Sequence, residues 1–227
     1  MSEIFTAPFW EEFGGLLLDG SVDTLVMVVV STIFAYLIGL PLGVLLILTQ
    51  EHGIWPHKTL NRVLGWIINI GRSLPFIILM IAMMDITKLI VGTKIGVLGA
   101  IPPLVVSAAP FIARMVETSL LEVDGGVVEA AQSMGASIPQ IVWKVYLPEA
   151  KPSLILGGSI SVITILAYTA IAGAVGAGGL GDLASRYGYV RRNDSMMLVT
   201  VVFIIILVQI IQTVFSRLST KIDKRLK

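Results

Sequence analysis

Five long apolar stretches, at 22–48, 60–84, 96–116, 153–175 and 196–215, constrain the fold of this 227-residue chain more than any other feature. A helix that crosses roughly 30 Å of hydrocarbon needs about 20 apolar residues at 1.5 Å each. In lipid every backbone polar group needs an internal partner, so runs of this length read as transmembrane helices. The predicted class is all-α and polytopic. A mean hydropathy of +0.91 and a charged fraction of 14% agree, since soluble domains carry about 25% charged residues. The third and fourth stretches are rich in Gly, Ser, Ala and Pro, which suits close helix packing.

An odd number of spans puts the two termini on opposite sides. The tail "SRLSTKIDKRLK" carries Arg217, Lys221, Lys224, Arg225 and Lys227, whereas the segment before the first span has no Lys or Arg. The tail is therefore expected in the cytoplasm and the N-terminus outside. Lys58, Arg62, Arg114, Lys144 and Lys151 then fall on the inner side, against Lys88, Lys94, Arg186, Arg191 and Arg192 outside. Residues 1–20 read as an interfacial segment, with Phe5, Phe9, Trp10 and Phe13 set among Glu11 and Glu12. Acids stand there where a signal peptide would carry Lys or Arg, so the segment is expected to be retained. Residues 21–216 form the transmembrane domain and 217–227 a basic cytoplasmic tail.

A formal net charge of +1, with the charges lying between apolar runs, gives no footprint for nucleic acid. The chain has no cysteine, hence no disulfide or thiolate chemistry. His52 and His57 share a loop with one nearby acid and make a poor metal site. The run "GAVGAGGLGD" invites a phosphate-loop reading, but no Gly-Lys-Ser/Thr follows it. It is read instead as a bend at the outer end of the fourth span. No nucleophile, base and orienting group converge anywhere, so the chain is expected not to be an enzyme. A chain this short has no room for a large soluble core, so any driving force comes from a gradient, a light-absorbing cofactor or another polypeptide.

Between the third and fourth spans, residues 117–151 form a long inner loop with helical character. Val127, Val128, Ala131 and Met134 fall on one helix face, and Gly135 ends that helix in the manner of a C-terminal glycine cap. Ser137 and Gln140 make a capping-box signature for a second helix. Its apolar side is Ile141, Val142, Val145 and Tyr146, and Pro148 is expected to stop it. Such a pair could simply cap the spans, or it could offer an apolar ridge to a partner.

The motif decides how this loop is read. Glu129, Ala130 and Ala131, then Gly135, then Leu147 and Pro148, resemble the EAA signature of ABC-importer permeases in spacing and identity. "GRSLPFIILM", "AAPFIARMVE" and "AIAGAVGAGGLGDLASRYGYVRR" are similar to the methionine-uptake branch of that family, and about residues 15 to 220 share the likeness. The resemblance implies a type I ABC importer permease fold of five transmembrane helices with two short cytoplasmic coupling helices, in a bacterial inner membrane. It implies a homodimer, two copies of a cytoplasmic ATPase that binds ATP and Mg, and an extracytoplasmic methionine-binding lipoprotein. No cofactor is implied on this chain. The coupling residues would be Glu129, Ala130, Ala131, Gly135, Leu147 and Pro148.

Within the second span, Arg72, Ser73 and Pro75 are candidates for the translocation pathway, because a charge there is costly and Pro75 opens the helical hydrogen-bond ladder. Met80, Met83 and Met84 could line a soft cavity for a thioether, or simply pack. Pro102, Pro103 and Pro110 are expected to interrupt the third span. Arg114 with Glu117, and Asp85 with Lys88, are read as surface pairs at helix ends. Two alternatives are a permease for another amino acid and a gradient-driven secondary transporter. The latter would call for inverted repeats and intramembrane acids, which the sequence does not display.

Overall fold

The computed structural model describes residues 7–222. Phe5 and the tail residues Lys224, Arg225 and Lys227 lie outside the described residues. The described chain is helical throughout its long elements: α1 (Ala7–Thr49), α2 (Lys58–Ser73), α3 (Phe76–Ala82), α4 (Met84–Val91), α5 (Gly96–Leu121), α6 (Gly125–Ser133), α7 (Ile138–Ile141), α8 (Leu147–Glu149), α9 (Lys151–Ala172), α10 (Gly179–Leu183) and α11 (Asp194–Ile222). Four helical stretches are long and apolar enough to cross a membrane, and a fifth crossing is made if the bent pair α2 and α3 counts as one span.

The chain forms two compact units. One gathers the described residues through Phe34, Leu74–Ser107 and Val162–Gln212; the other gathers Ala35–Ser73, Ala108–Ser161 and the residues from Thr213. Each of the five spans contributes to both.

In the first unit, α1 differs from the expected short interfacial segment followed by a separate span. It runs unbroken for 43 residues, because Phe9, Phe13 and Leu17, four apart, extend one apolar stripe into the N-terminal turns. They pack with Leu180, Leu183, Met196 and Val199 in one apolar cluster. Glu11 and Glu12 remain on the exposed side. The glycine run forms the expected bend: Gly176 and Gly178 take φ of 95° and 82°. Its helices approach backbone to backbone, since a Cβ on Gly181 would lie 2.4 Å from the Ala170 carbonyl oxygen, and one on Gly173 2.4 Å from the Asp182 amide nitrogen. The buried Thr24 hydroxyl accepts a hydrogen bond from Leu180 N–H at 2.9 Å and donates to the Gly20 carbonyl at 2.8 Å. Further on, Arg186 pairs with Asp182 at 2.6 Å and Arg191 stacks 4.5 Å above the Tyr187 ring.

Three sequence expectations change here. Pro75 makes a break where a kink is predicted: α2 ends at Ser73, Pro75 becomes the N-cap of α3, and the chain turns by 98°. A proline at that position loses no helical hydrogen bond, because the first amides of a helix have no intrahelical acceptor. Conversely, Pro102, Pro103 and Pro110 leave α5 continuous from Gly96 to Leu121. The ring of Pro110 sits against Gly71, where a Cβ would be only 2.7 Å from its Cγ, so the bulk is absorbed by a notch rather than by unwinding. Asp85 pairs with Lys94, not Lys88, because the turn after α4 brings Lys94 back over the start of that helix.

In the second unit, Leu46, Ile68 and Ala113 form an apolar core with Leu42 and Leu64 around it. His57 starts α2 by accepting the Leu60 amide at Nδ1, 3.2 Å away.

Candidate functional site

The loop between α5 and α9 folds as two helical pieces with defined ends. Asp124 caps α6 by accepting from Gly126 N–H at 2.7 Å. At the other end Gly135 adopts φ of 78°, Gly135 N–H donates to Gln132 and Ala136 N–H to Ala131. These two bonds are the Schellman pattern, in which the left-handed residue satisfies the last carbonyls of the helix. A Cβ at Gly135 would meet nothing within 4 Å. The glycine is therefore required by its backbone conformation and not by crowding within the chain.

The second piece begins as its capping signature predicts: the Ser137 amide and hydroxyl both donate to Gln140 Oε1, at 2.8 and 3.0 Å. Pro148 does not stop it. A π-helical turn, Val142–Tyr146, leads into α8, where Pro148 occupies a first-turn position. The wider turn spares the proline ring a clash with a preceding carbonyl, and the helical run ends instead at Ala150.

Burial divides the apolar residues differently from the sequence reading. Val128, Ala131, Ile141, Val142 and Tyr146 are covered by the chain itself, with α6 lying against the π-helical turn. Burial raises the Tyr146 hydroxyl pKa above the usual phenol value, so this group stays a neutral phenol. The uncovered apolar surface belongs to Met134 (81% exposed), Trp143 (70%), Val127 and Ile138. Of the apolar faces read from periodicity, Val128, Ala131, Ile141, Val142 and Tyr146 turn inward, whereas Val127 and Met134 stay uncovered. Trp143 was missed because it lies off the 3.6-residue stripe. Its signal was a large aromatic beside Lys144 on the polar side of an amphipathic helix.

The signature residues spread over both faces. Glu129, Ala130, Gly135 and Pro148 are exposed, Leu147 is half-buried and Ala131 is buried. Glu129 opens onto a cleft of about 300 Å³ that it shares with Gln132, Gln50, His52 and Tyr146. Its carboxylate stands where a cationic side chain could enter from outside.

Of the other candidate residues, Arg72 is exposed in the last turn of α2, where a cation complements the helix dipole. Ser73 donates to the Asn69 carbonyl at 2.8 Å. In the first unit, Pro75 is exposed, Met80 and Met83 are buried and Met84 is half-buried. Phe76 stacks on Tyr168 with ring centroids 4.8 Å apart. Side chains covered in this way supply packing, and facing a passing solute would require them to rearrange.

Residues 35–227 match the family model described as the binding-protein-dependent transport system inner membrane component. The chain belongs to that family. It is 50% identical over 210 residues to the probable D-methionine transport system permease protein MetI of Vibrio cholerae, covering 92% of this chain and 93% of that one. It is 48% identical to the methionine import system permease protein MetP of Bacillus subtilis, covering 80% and 82%. A solved inward-facing structure of the MetNI methionine ABC transporter superposes with a TM-score of 0.93 at 47% identity, over 94% of this chain and 99% of that one. The all-helical type I importer fold expected from the EAA signature is thus the fold this family member has.

One residue of this permease that the sequence reading set aside proves to be central to its unit. Glu117 was taken for half of a surface pair. Its Oε2 does accept from Arg114 Nη1 at 2.6 Å, but the residue is only 6% exposed, and Oε1 also accepts from Gln50 Nε2 at 3.0 Å. An i,i+3 acid–base pair looks the same in sequence whether its helix face meets water or two other helices.

Proposed function

We propose that this chain is the membrane-spanning permease subunit of an ATP-driven importer for methionine, working by alternating access as a homodimer. Its partners would be two cytoplasmic ATPase subunits, which bind ATP and Mg and carry out hydrolysis, and an extracytoplasmic methionine-binding lipoprotein that delivers the substrate. The substrate assignment rests on the methionine permeases to which nearly the whole chain is similar. The observation that carries the coupling role is the ordered helix pair that leaves Met134, Trp143, Val127 and Ile138 uncovered. An amphipathic helix that its own chain does not cover fits a helix-in-groove contact.

In this reading Glu129, Ala130, Ala131, Gly135, Leu147 and Pro148 form the coupling loop, with Glu129 offering its carboxylate to a base on the ATPase. Residues 21–216 form the transmembrane domain, the N-terminus lies outside, and the tail from 217 is cytoplasmic on the charge bias of the loops. The break around Arg72, Ser73 and Pro75, with Met80, Met83 and Met84 beyond it, is assigned to the translocation pathway, since irregular backbone at membrane depth is tolerated where it lines a cavity.

The test is ATP-dependent uptake of labelled methionine into proteoliposomes holding this chain, its ATPase and the binding protein. Wild-type uptake should require ATP, and Gly135→Arg should insert in the membrane yet lose ATPase co-purification and uptake together. Normal co-purification of that variant would sink the coupling role. ATP-coupled transport that ignores methionine would keep the family and discard the substrate.

A further inference from the structure

The second unit is cross-linked by side-chain hydrogen bonds that run from span to span. Asn61 of α2 donates to the Leu46 carbonyl of α1 at 2.8 Å and to Thr49 Oγ1 at 3.1 Å. Gln50, just past the end of α1, donates to Glu117 of α5. Arg114 of α5 bridges Glu117 at 2.6 Å and Asn69 Oδ1 of α2 at 3.0 Å. Ser153 of α9 donates to Ser119 of α5 at 3.1 Å, and Ser219 of α11 to the Pro152 carbonyl of α9 at 3.1 Å. All five spans are joined in this way at the end that carries the loop.

Glu117 is the centre of the cluster. It is a buried acid with both oxygens occupied, and its neighbours reach three spans. It also lies one step from the docking loop, because Gln50 both donates to Glu117 and lines the cleft with Glu129, Gln132 and Tyr146. A buried carboxylate held by an arginine and an amide is costly to desolvate and is weak evidence for stability alone. What it supplies is geometry: directional bonds that keep helix ends in register while the segment beside them is displaced.

We propose that Glu117 is a positioning residue for energy coupling. It locks the loop-side ends of α1, α2 and α5 into one body, so that a push on the coupling loop moves three spans together instead of bending α5 alone. This inference rests on the reading of the loop as the ATPase-docking element.

The experiment measures methionine uptake and ATP hydrolysis side by side in proteoliposomes with the ATPase and binding protein. Glu117→Ala should co-purify with the ATPase and hydrolyse ATP at close to the wild-type rate, while uptake per ATP falls about tenfold, within the range by which residues that link sites alter coupling. The double variant Arg114→Gln with Glu117→Gln, which replaces the ion pair by two neutral amides able to bond each other, should recover part of that ratio. If Glu117→Ala does not assemble, Asn69→Ala decides, since it deletes only the acceptor from α2 and should lower uptake per ATP about threefold with hydrolysis intact. Uptake per ATP unchanged, or uptake and hydrolysis falling in proportion, overturns the proposal. Failure of the wild-type complex to couple ATP to uptake at all would instead overturn the reading of the loop.

Discussion

Both units pack backbone closely at glycines, Gly43 of α1 against the Ala113 carbonyl in the second unit as Gly181 against Ala170 in the first, and they differ in how far side-chain hydrogen bonds join their spans. In the first, the contact between the end of α9 and α10 across the glycine bend is steric: Gly181 and Gly173 admit a backbone where any Cβ would collide, and Phe9, Phe13 and Leu17 of α1 pack beside it against Leu180 and Leu183. In the second, spans are joined by Asn61, Gln50, Arg114, Glu117, Ser153 and Ser219 through directional bonds. Close-packed backbone has one arrangement and little tolerance. A hydrogen-bonded lattice of side chains can be carried along as its helices tilt, or exchange partners. On the proposed reading of the loop, the contrast is that the second unit has a polar network by which its span ends would move together, while the glycine bend of the first leaves little room for rearrangement.

The largest expected effect comes from breaking the steric contact. Gly181→Val places a branched side chain where the first carbon already lies 2.4 Å from the Ala170 carbonyl oxygen and 2.6 Å from Ala170 Cα. Backbone cannot yield as a flexible side chain can, so the cost exceeds the ~1–3 kcal/mol of ordinary overpacking. The variant should fail to give a monodisperse peak on size exclusion in detergent. A folded, wild-type-like peak would show that the bend is more pliable than its geometry indicates.

Next comes the exposed ridge of the second unit. Trp143→Ala removes a side chain that is 70% exposed, so the melting temperature of the isolated permease should not move. Affinity for the ATPase should fall by at least ~2 kcal/mol, the scale of a tryptophan hot spot, as read by titrating labelled ATPase onto the permease. A drop in permease stability without a loss of affinity would place Trp143 in the fold and leave the ridge without a partner.

A smaller effect separates the polar content of the two units. Thr24→Val in the first unit keeps the shape but leaves the Leu180 amide without its acceptor, at about 1–2 kcal/mol for a buried unsatisfied donor. Thermal unfolding should show the loss, and Thr24→Ser should restore most of it. Equal stability of the valine variant would mean that packing alone holds the bend against α1.

Much of this was legible beforehand. Apolar length placed the helices but not their ends: the predicted start of the third span at 96 is the first residue of α5, the fourth differs from α9 by two residues at its start and three at its end, and the fifth starts two residues inside α11 and stops seven short of its end. The caps at Ser137 and Gly135 followed because local chemistry sets them. What escaped the sequence depended on contacts distant along the chain. Pro110 leaves α5 straight because Gly71 gives way, Glu117 is buried because α1 and α2 arrive over it, and Trp143 is exposed because Ile141, Val142 and Tyr146 take the covered side. The EAA-like motif was readable residue by residue, but not which of its neighbours stay uncovered. Helix α4, Met84–Val91, was missed since it is too short and too interrupted by Asp85 and Lys88 to read as a span.

The smallest effect belongs to the exposed pair in the first unit. A hydrogen bond from Lys94 and, second, its positive charge hold the Asp85 carboxyl below the usual carboxylate range. A folded-state pKa that is depressed contributes stability above the unfolded value, and that contribution disappears as pH falls through the folded one. For a fully exposed group, water and salt screen most of it. Asp85→Asn should therefore leave the melting temperature nearly unchanged at neutral pH, and even that small difference from wild type should vanish in acid. A clear loss at neutral pH would mean that the turn after α4 depends on this one ion pair, and that the first unit shares the polar fastening otherwise seen in the second.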